Sequence, residues 1–507
     1  MNYLLKFKNI LSILALCFFI FLPSLDYGFV DYDDYLHLKK EVTDLNIENI
    51  ISFWLKPYSG LFIPVSYNIR HILVFVSNLI NDENEISPLV FHTYSVINHL
   101  LNILLIYIFF LKLEVRRELA IVSCLFFAFH PLQVESITWT SQIGIVSGFS
   151  FCIASMYYFH KHLNQNNYIY LLISILLFIF ASLCKPNYII IPIILLVLFY
   201  DKILLRYLFF KVSLFFIPSI IIMMLTKYKQ LDKFIYYSPD YYERFKIAIS
   251  NMFFYLHKLF MPVNLVPDYG IKFEDYINDD NYLYKLLVIL CIFFYMLNNL
   301  KSNFSKGILI FFIGLLPVMG FILFRFQNLS LVADRYTYLS IFGISYSISH
   351  LRIEYYSKFY VFIFICISMI MIKTSEQIKI WENSETLLKR IIKINDQSFL
   401  AHNNLGLISR NSKDYHKAIK HFSKAIRSKQ RPVLGYYNRA ITKMKMNDYK
   451  GAVTDFSKVL KYNKKHKRAL YNRGISKEII GIDGTKDIKM SAKLNFREAE
   501  IWMRHNQ

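Results

Sequence analysis

Residues 359–390 read FYVFIFICISMIMIKTSEQIKIWENSETLLKR. An apolar run ends at Lys373, and a charged, amphipathic segment takes over. Before this point apolar runs follow one another with few charges between them. After it the chain is Lys-rich and repetitive. The change predicts an all-α chain in two parts. A polytopic membrane helical bundle occupies residues 1–375, a connecting helix follows over 376–397, and a soluble helical repeat fills 398–507.

Composition agrees. A 507-residue chain that is 55% hydrophobic and 17% aromatic, with mean hydropathy +0.34, is too apolar for a soluble globule. The net charge of +22 does not point to nucleic acid. Lys and Arg sit beside apolar runs and in the repeat, as positive-inside loops and a solvated face would place them, and no nucleic-acid motif accompanies them. The six cysteines, Cys17, Cys124, Cys152, Cys184, Cys291 and Cys366, form no CxxC pair, so neither a disulfide framework nor a zinc site is expected. The N-terminal segment has the charges and apolar stretch of a signal peptide without a small-residue cleavage site, and reads as an uncleaved first span.

A spanning helix takes about 20 apolar residues. Runs near 9–25, 88–111, 118–137, 143–160, 168–183, 187–200, 207–226, 282–298, 307–324, 336–350 and 359–373 give about eleven spans. The run 247–262, with His257 and Lys258 and a stop at Pro262, reads as an interfacial or re-entrant helix. With Lys6 and Lys8 in the cytoplasm, alternate loops hold Lys112, Arg116 and Arg117; Lys161; Lys202 and Arg206; Lys301 and Lys306; Arg352 and Lys358. All fall inside, as the positive-inside rule expects. Only Lys227, Lys229 and Lys233 fall outside, in a longer segment. The count predicts a multi-pass protein, as in a bacterial inner membrane, with the repeat on the periplasmic side.

That topology gathers several polar segments on the external face: Asp31-Tyr32-Asp33-Asp34, His130-Pro131-Leu132-Gln133-Val134-Glu135 with Trp139, Cys184-Lys185-Pro186, and Ala333-Asp334-Arg335-Tyr336. Asp33 and Asp34 are the candidates for chemistry, because a carboxylate can take a proton from an attacking hydroxyl or help to hold a divalent cation. No metal site or other cofactor is otherwise implied. Arg335 is the candidate phosphate contact, its planar fork being suited to bidentate binding, with Asp334 placed to fix the fork and Lys185 as a second positive point. His130, Glu135, Asp334 and Tyr336 are candidates for lining a substrate cavity. Taken singly, each also suits a structural role. His92, Asn98 and His99, in or at the edge of a span, suit interhelical hydrogen bonding.

The repeat is carried by a spacing. His402-Asn403-Asn404-Leu405-Gly406 aligns with Tyr436-Tyr437-Asn438-Arg439-Ala440, and the segment from Tyr415 to Phe422 aligns with that from Tyr449 to Phe456. The offset of about 34 residues is the tetratricopeptide period. A third, less regular unit begins at Leu470-Tyr471-Asn472-Arg473-Gly474, as a terminal cap does. Such a stack is a binding surface for a protein partner.

The whole chain resembles the tetratricopeptide-containing membrane glycosyltransferases of the GT-C superfamily, a group that includes the transmembrane O-mannosyltransferases. The segments that carry the likeness are FVDYDD, FHPLQVESITW, CKPNYIIIPIILLVLFYD, HKLFMPVNLVPDYG, VADRYTYLS, and WENSETLLKR leading into AHNNLGL, in that order. The resemblance implies an inverting hexosyltransferase that moves a sugar from a polyprenyl-phosphate-linked donor to a protein or glycan hydroxyl on the non-cytoplasmic face. It implies an acidic catalytic residue at Asp33 or Asp34. Where related chains carry charges after the HP…E…W segment, this one has Ser141-Gln142-Ile143-Gly144-Ile145. That departure leaves a second expectation open, a non-catalytic membrane-anchored scaffold for assembling envelope proteins.

Overall fold

A computed structural model describes residues 2–80, 85–229, 238–351, 357–428 and 432–506, and it is helical throughout, with one isolated bridge between Tyr58 and Leu61 and no strand among the described residues. Lys233 and Arg352, which entered the loop-charge argument, lie outside the described residues. The chain divides into two compact units, Met1–Asn383 and Ser384–Gln507. The helix Ser357–Lys379 runs through the compositional change at Lys373 without a break.

Among the described residues of the first unit, five helices are long and apolar enough to cross a membrane: Asn9–Asp26, Pro88–Lys112, Thr140–Gln165, Leu205–Tyr228 and Val361–Lys379. A sixth arises if Arg117–Phe129 and Pro131–Thr138, bent by 51°, form one broken span. The expected eleven is therefore corrected downward. Apolar windows in the sequence pass over breaks that the backbone makes. Pro131 and Pro186 each begin a new 3-10 turn, and the helix Asn303–Leu315 gives way to another at Leu316–Val318, since proline lacks the N–H that a continuing helix needs. The runs at 168–183, 187–200, 282–298 and 307–324 become the shorter apolar helices Tyr168–Cys184, Pro186–Phe199, Tyr282–Asn298 and Asn303–Val318. The run at 336–350 becomes Tyr338–Ser349, 12 residues long.

The interior of this unit is stitched by polar side chains between helices. Nδ1 of His99 meets the Tyr338 hydroxyl at 2.7 Å, and Asn102 donates to the same hydroxyl at 3.0 Å. Asn98 donates to Ser147 at 3.1 Å and accepts from Ser150 at 2.5 Å. Asn98 and His99 thus serve the interhelical role their positions suggested. Close backbone approach needs glycine at two points. A Cβ on Gly343 would sit 2.5 Å from the amide nitrogen of Phe311, and one on Gly148 would sit 2.5 Å from the Tyr188 ring. The run 247–262 lies in the helix Tyr241–Phe260, which opens with a capping box between Asp240 and Glu243. It is not among the candidate spans.

The second unit begins with Ser384–Ile394 and continues as three antiparallel pairs: Phe399–Asn411 with Tyr415–Arg427, Pro432–Lys445 with Tyr449–Tyr462, and Lys467–Ile479 with Thr485–Lys493. A single helix, Arg497–His505, ends it. Ala418, Phe422, Ala440, Ala452 and Phe456 are fully buried. Burying a phenylalanine contributes about 2–3 kcal/mol, and the small residues let the paired helices close on it. A Cβ on Gly406 would meet the Phe422 ring at 2.6 Å.

Candidate functional site

The acidic loop follows the first span within a few residues. Asp34 is buried, and both of its oxygens are occupied. Oδ2 accepts from the Val30 amide at 2.9 Å, and Oδ1 accepts from the Ser141 amide at 2.9 Å and the Ser141 hydroxyl at 2.5 Å. Burial, and next the neighbouring Asp33 charge, push the Asp34 carboxyl up to about 6. Asp33 points elsewhere. Its side chain keeps 28% exposure, and its Oδ2 lies 3.7 Å from Nε2 of His37. Burial raises Asp33, but the His37 ring, with smaller help from Ser141 and Arg335, outweighs it and holds the carboxyl below the ordinary range. His37 is fixed from behind, its Nδ1 3.1 Å from the Tyr67 hydroxyl, which donates to the Tyr58 carbonyl at 3.1 Å.

The second cluster comes from the Asp334–Thr337 turn. Arg335 is buried, and its Nη1 donates to Oε1 of Glu135 at 2.6 Å. Its guanidinium lies over three rings, 4.1 Å from the centroid of Phe326, 4.9 Å from Tyr336 and 5.3 Å from Trp139. The carboxylate that meets the fork is therefore Glu135, 200 residues away. Asp334 accepts instead from the Tyr269 hydroxyl at 2.7 Å, and burial, then the nearby Glu135 charge, raise it well above the usual carboxylate range. The turn is held from the helix Tyr241–Phe260. The Tyr255 hydroxyl donates to the Ala333 carbonyl at 3.3 Å and accepts from its amide at 3.1 Å.

The two clusters meet through Trp139. Tyr32 packs edge-on to its ring at 5.3 Å, Trp381 stacks on it at 5.5 Å, and Arg335 lies over it. Beside them is a small recess of about 10 Å³, room for about one water, lined by Lys185, Arg335, Tyr336, Tyr188, Ile145 and others. Lys185 and Arg335, chosen separately as phosphate contacts, share this lining. No hydrogen bond or ion pair holds the Lys185 ammonium among the described residues. Burial and the Arg335 charge lower it to about 8.

The uncharged stretch 141–145 proves to be built into this arrangement. Ser141 holds Asp34. Gly144 lets the Cys184 carbonyl come within 2.8 Å of where a Cβ would stand, and that carbonyl accepts from Ser66 at 2.7 Å. The Ile145 carbonyl accepts from the Tyr188 hydroxyl at 2.5 Å. A cation reaches the stretch from elsewhere in the chain. Arg70 is buried in the helix Pro64–Ile80 and donates to the Ser141 carbonyl at 2.8 Å, with its Nε left without a hydrogen-bond partner among the described residues. Sequence reading passed over Arg70 because its helix matched no span. The available signal was a lone arginine flanked by Tyr67 and His71 in an apolar segment.

Of the candidate cavity residues, Tyr336 lines the recess, Glu135 is joined to its lining through Arg335, and Asp334 is bound instead to Tyr269, which is not part of the lining. His130 stands apart. Its Nδ1 accepts from the Leu132 amide at 3.3 Å, and its Nε2 donates to the Leu259 carbonyl at 3.1 Å, so both ring nitrogens serve the fold. Among the described residues no group of three His, Cys, Asp or Glu side chains is placed to hold a metal ion.

The structure thus collects two carboxylates with unlike surroundings, three buried or half-buried cations and an aromatic wall. In the other unit, residues 400–432 and 435–466 match the tetratricopeptide repeat family, which assigns that unit to protein–protein interaction. No curated protein and no solved structure matches the chain.

Proposed function

We propose that the first unit is a membrane glycosyltransferase that takes a sugar from a polyprenyl-phosphate-linked donor, and that the repeat recruits the acceptor, a protein or a glycan-bearing partner. The observation that carries this reading is the recess where Lys185 and Arg335 face one space, with Asp33 within electrostatic reach of both. Cations crowded at one point favour an anionic ligand, and a phosphate fits a guanidinium fork and an ammonium.

On this reading the two aspartates take different roles. Asp34 has both oxygens committed to hydrogen bonds and acts as a positioning residue that ties the loop to Ser141. Asp33, partly exposed and ionised, is the base. It takes the proton of an acceptor hydroxyl as that oxygen bonds to the anomeric carbon. The bond from that carbon to the donor phosphate breaks, and the lipid phosphate leaves with its electron pair, stabilised by Lys185 and Arg335. A single displacement inverts the anomeric centre. On this reading the site and the repeat face the non-cytoplasmic side.

The test is transfer from lipid-linked sugar by Asp33→Asn and Lys185→Ala variants of the full chain. Loss of transfer in the first and weakened donor use in the second are expected. Wild-type transfer by both removes the assignment. An alkaline phosphatase reporter after Gln507 should be active and one after Leu300 inactive. The reverse pattern removes the external site.

A second reading, a membrane-anchored scaffold, draws on one observation: Glu135 already neutralises Arg335 at 2.6 Å. Comparing glycans and glycoproteins of a deletion strain with those of its parent separates the two, because a scaffold leaves them unchanged.

A further inference from the structure

The loop that bears Asp33 and Asp34 also carries a helix turned inside out. In Ile47–Leu55 the residues facing the body are Asn49, Ser52 and Phe53, of which Phe53 packs with Tyr58, Tyr67 and His71. The outward stripe is Ile47, Ile50, Ile51, Trp54 and Leu55, spaced i, i+3, i+4, i+7 and i+8. Its members are exposed, Ile47 at 74% and Leu55 at 65%. A contiguous apolar face of this kind is not left in water. Nine residues rise only about 13 Å, far less than a crossing needs.

Next to the C-terminal end of this helix is a recess of about 270 Å³ lined by Lys39, Ser52, Phe53, Lys56, Pro57, Tyr58 and Ser59. Lys39 and Lys56 are exposed, and neither ammonium is in an ion pair among the described residues. The turn that closes the recess is fixed by the left-handed residues Ser59 (φ 49°) and Gly60 (φ 81°) and by the Ser59 hydroxyl donating to the Leu36 carbonyl at 2.8 Å.

We propose that the helix Ile47–Leu55 lies in the headgroup layer of the bilayer, and that the Lys39–Lys56 recess takes the headgroup of an anionic phospholipid. The occupant follows from three features on one element. The outward face is apolar, with a tryptophan of the kind that settles at the membrane interface. The adjoining recess is cationic. The chain enters the loop directly from a candidate span ending at Asp26. The anchoring fixes the depth of the loop that holds Asp33 and Asp34 and does not rest on sugar transfer.

The experiment uses the full chain in nanodiscs, with an environment-sensitive fluorophore at Ile51→Cys in a Cys291→Ser/Cys366→Ser background and a second labelled form at Ile47→Cys. Both labels should emit to the blue of one at Ser412→Cys, an exposed position of the repeat, and should be quenched several-fold by spin-labelled lipid. Emission matching the Ser412→Cys control overturns the proposal. A blue-shifted label that spin-labelled lipid leaves unquenched also overturns it, since a protein surface then covers the helix. For the recess, mass spectrometry of the intact protein should show phosphatidylglycerol retained over phosphatidylcholine through delipidation, and the preference should vanish in Lys39→Ala/Lys56→Ala while the Ile51→Cys label in that variant stays quenched. Equal retention by wild type and variant overturns the headgroup site.

Discussion

Both units hold arginine–carboxylate pairs, and the two kinds differ in everything but chemistry. In the repeat, Arg439 reaches Asp455 through Nε at 2.8 Å and Nη2 at 2.7 Å, and its Nη1 donates to Ser423. Lys443 completes the group at 2.9 Å. One repeat later Arg473, Asp487, Ser457 and Lys477 repeat the arrangement at nearly the same distances. These arginines are about one-fifth exposed. The body has instead, among the described residues, one fully buried arginine–carboxylate pair, Glu135–Arg335, whose partners are 200 residues apart. A pair made by a repeating local fold is cheap to hold and shared with water. A pair made by long-range packing stands alone, and losing half of it strands a charge.

The largest expected effect follows from that difference. Arg335→Met leaves the Glu135 carboxylate buried without its cation and should cost about 3–5 kcal/mol, read as thermal unfolding of the purified full chain. Glu135→Met with Arg335→Met should recover most of this loss, because removing both charges removes the desolvation cost too. A double variant as unstable as the single one breaks the comparison.

A smaller effect isolates Asp34. Its carboxyl is raised from 3.8 to about 6 by burial and by Asp33, so the folded state prefers it neutral. That contribution to stability is complete below the unfolded value and is lost as pH rises through about 6. Asp34→Asn cannot ionise. Its stability relative to wild type should therefore rise by about 2 kcal/mol between pH 4 and pH 6. The slope is the test. The offset also contains the loss of acceptors for the Val30 and Ser141 amides. A flat difference across this range means that Asp34 ionises freely in the folded protein.

Why the two units were unequally legible follows from the same contrast. The repeat announces itself because residues 34 apart occupy equivalent places, so His402–Gly406 and Tyr436–Ala440 reveal a helix pair without any knowledge of contacts. Even there the Arg–Asp pairs went unread, since the spacing from Asp455 to Asp487 falls two short of the period. In the body, the segments holding Asp33, Lys185 and Arg335 stood out as polar groups between apolar runs, and the structure brings Lys185 and Arg335 to one recess. Their partners were invisible. Nothing local couples Glu135 to Arg335, Tyr269 to Asp334 or Arg70 to Ser141. The span count failed for a related reason, because hydropathy sums residues and is blind to the turns at Pro131 and Pro186.

The repeat pairs should respond more mildly and alike. Asp455→Ala and Asp487→Ala each remove a bidentate partner from an arginine that water can still reach, so a loss of about 2 kcal/mol is expected from each. Hydrogen exchange along the repeat of the intact chain would show it as faster exchange confined to the neighbouring helix pair. A loss as large as that of Arg335→Met would mean that these pairs are buried in the same sense, and the contrast between the units would fall.

The smallest effect tests how far the repeat's equivalence extends. Asp414 caps the helix Tyr415–Arg427 by accepting from the Lys417 amide at 3.1 Å, and 34 residues later Asp448 caps Tyr449–Tyr462 by accepting from the Gly451 amide at 2.9 Å. The third unit has Gly484 at this point, with no side-chain cap. Asp414→Ala and Asp448→Ala should each cost about 1 kcal/mol, seen as faster exchange in the first turn of the capped helix and nowhere else. Gly484→Asp restores a capping side chain but cannot repeat the gain. A Cβ there would sit on the Gly474 backbone, 2.7 Å from its carbonyl carbon, so this variant should be less stable than wild type. The two helices of the last pair approach more closely at Gly474 and Gly484 than a capped helix start allows, and the missing cap is a consequence of that contact.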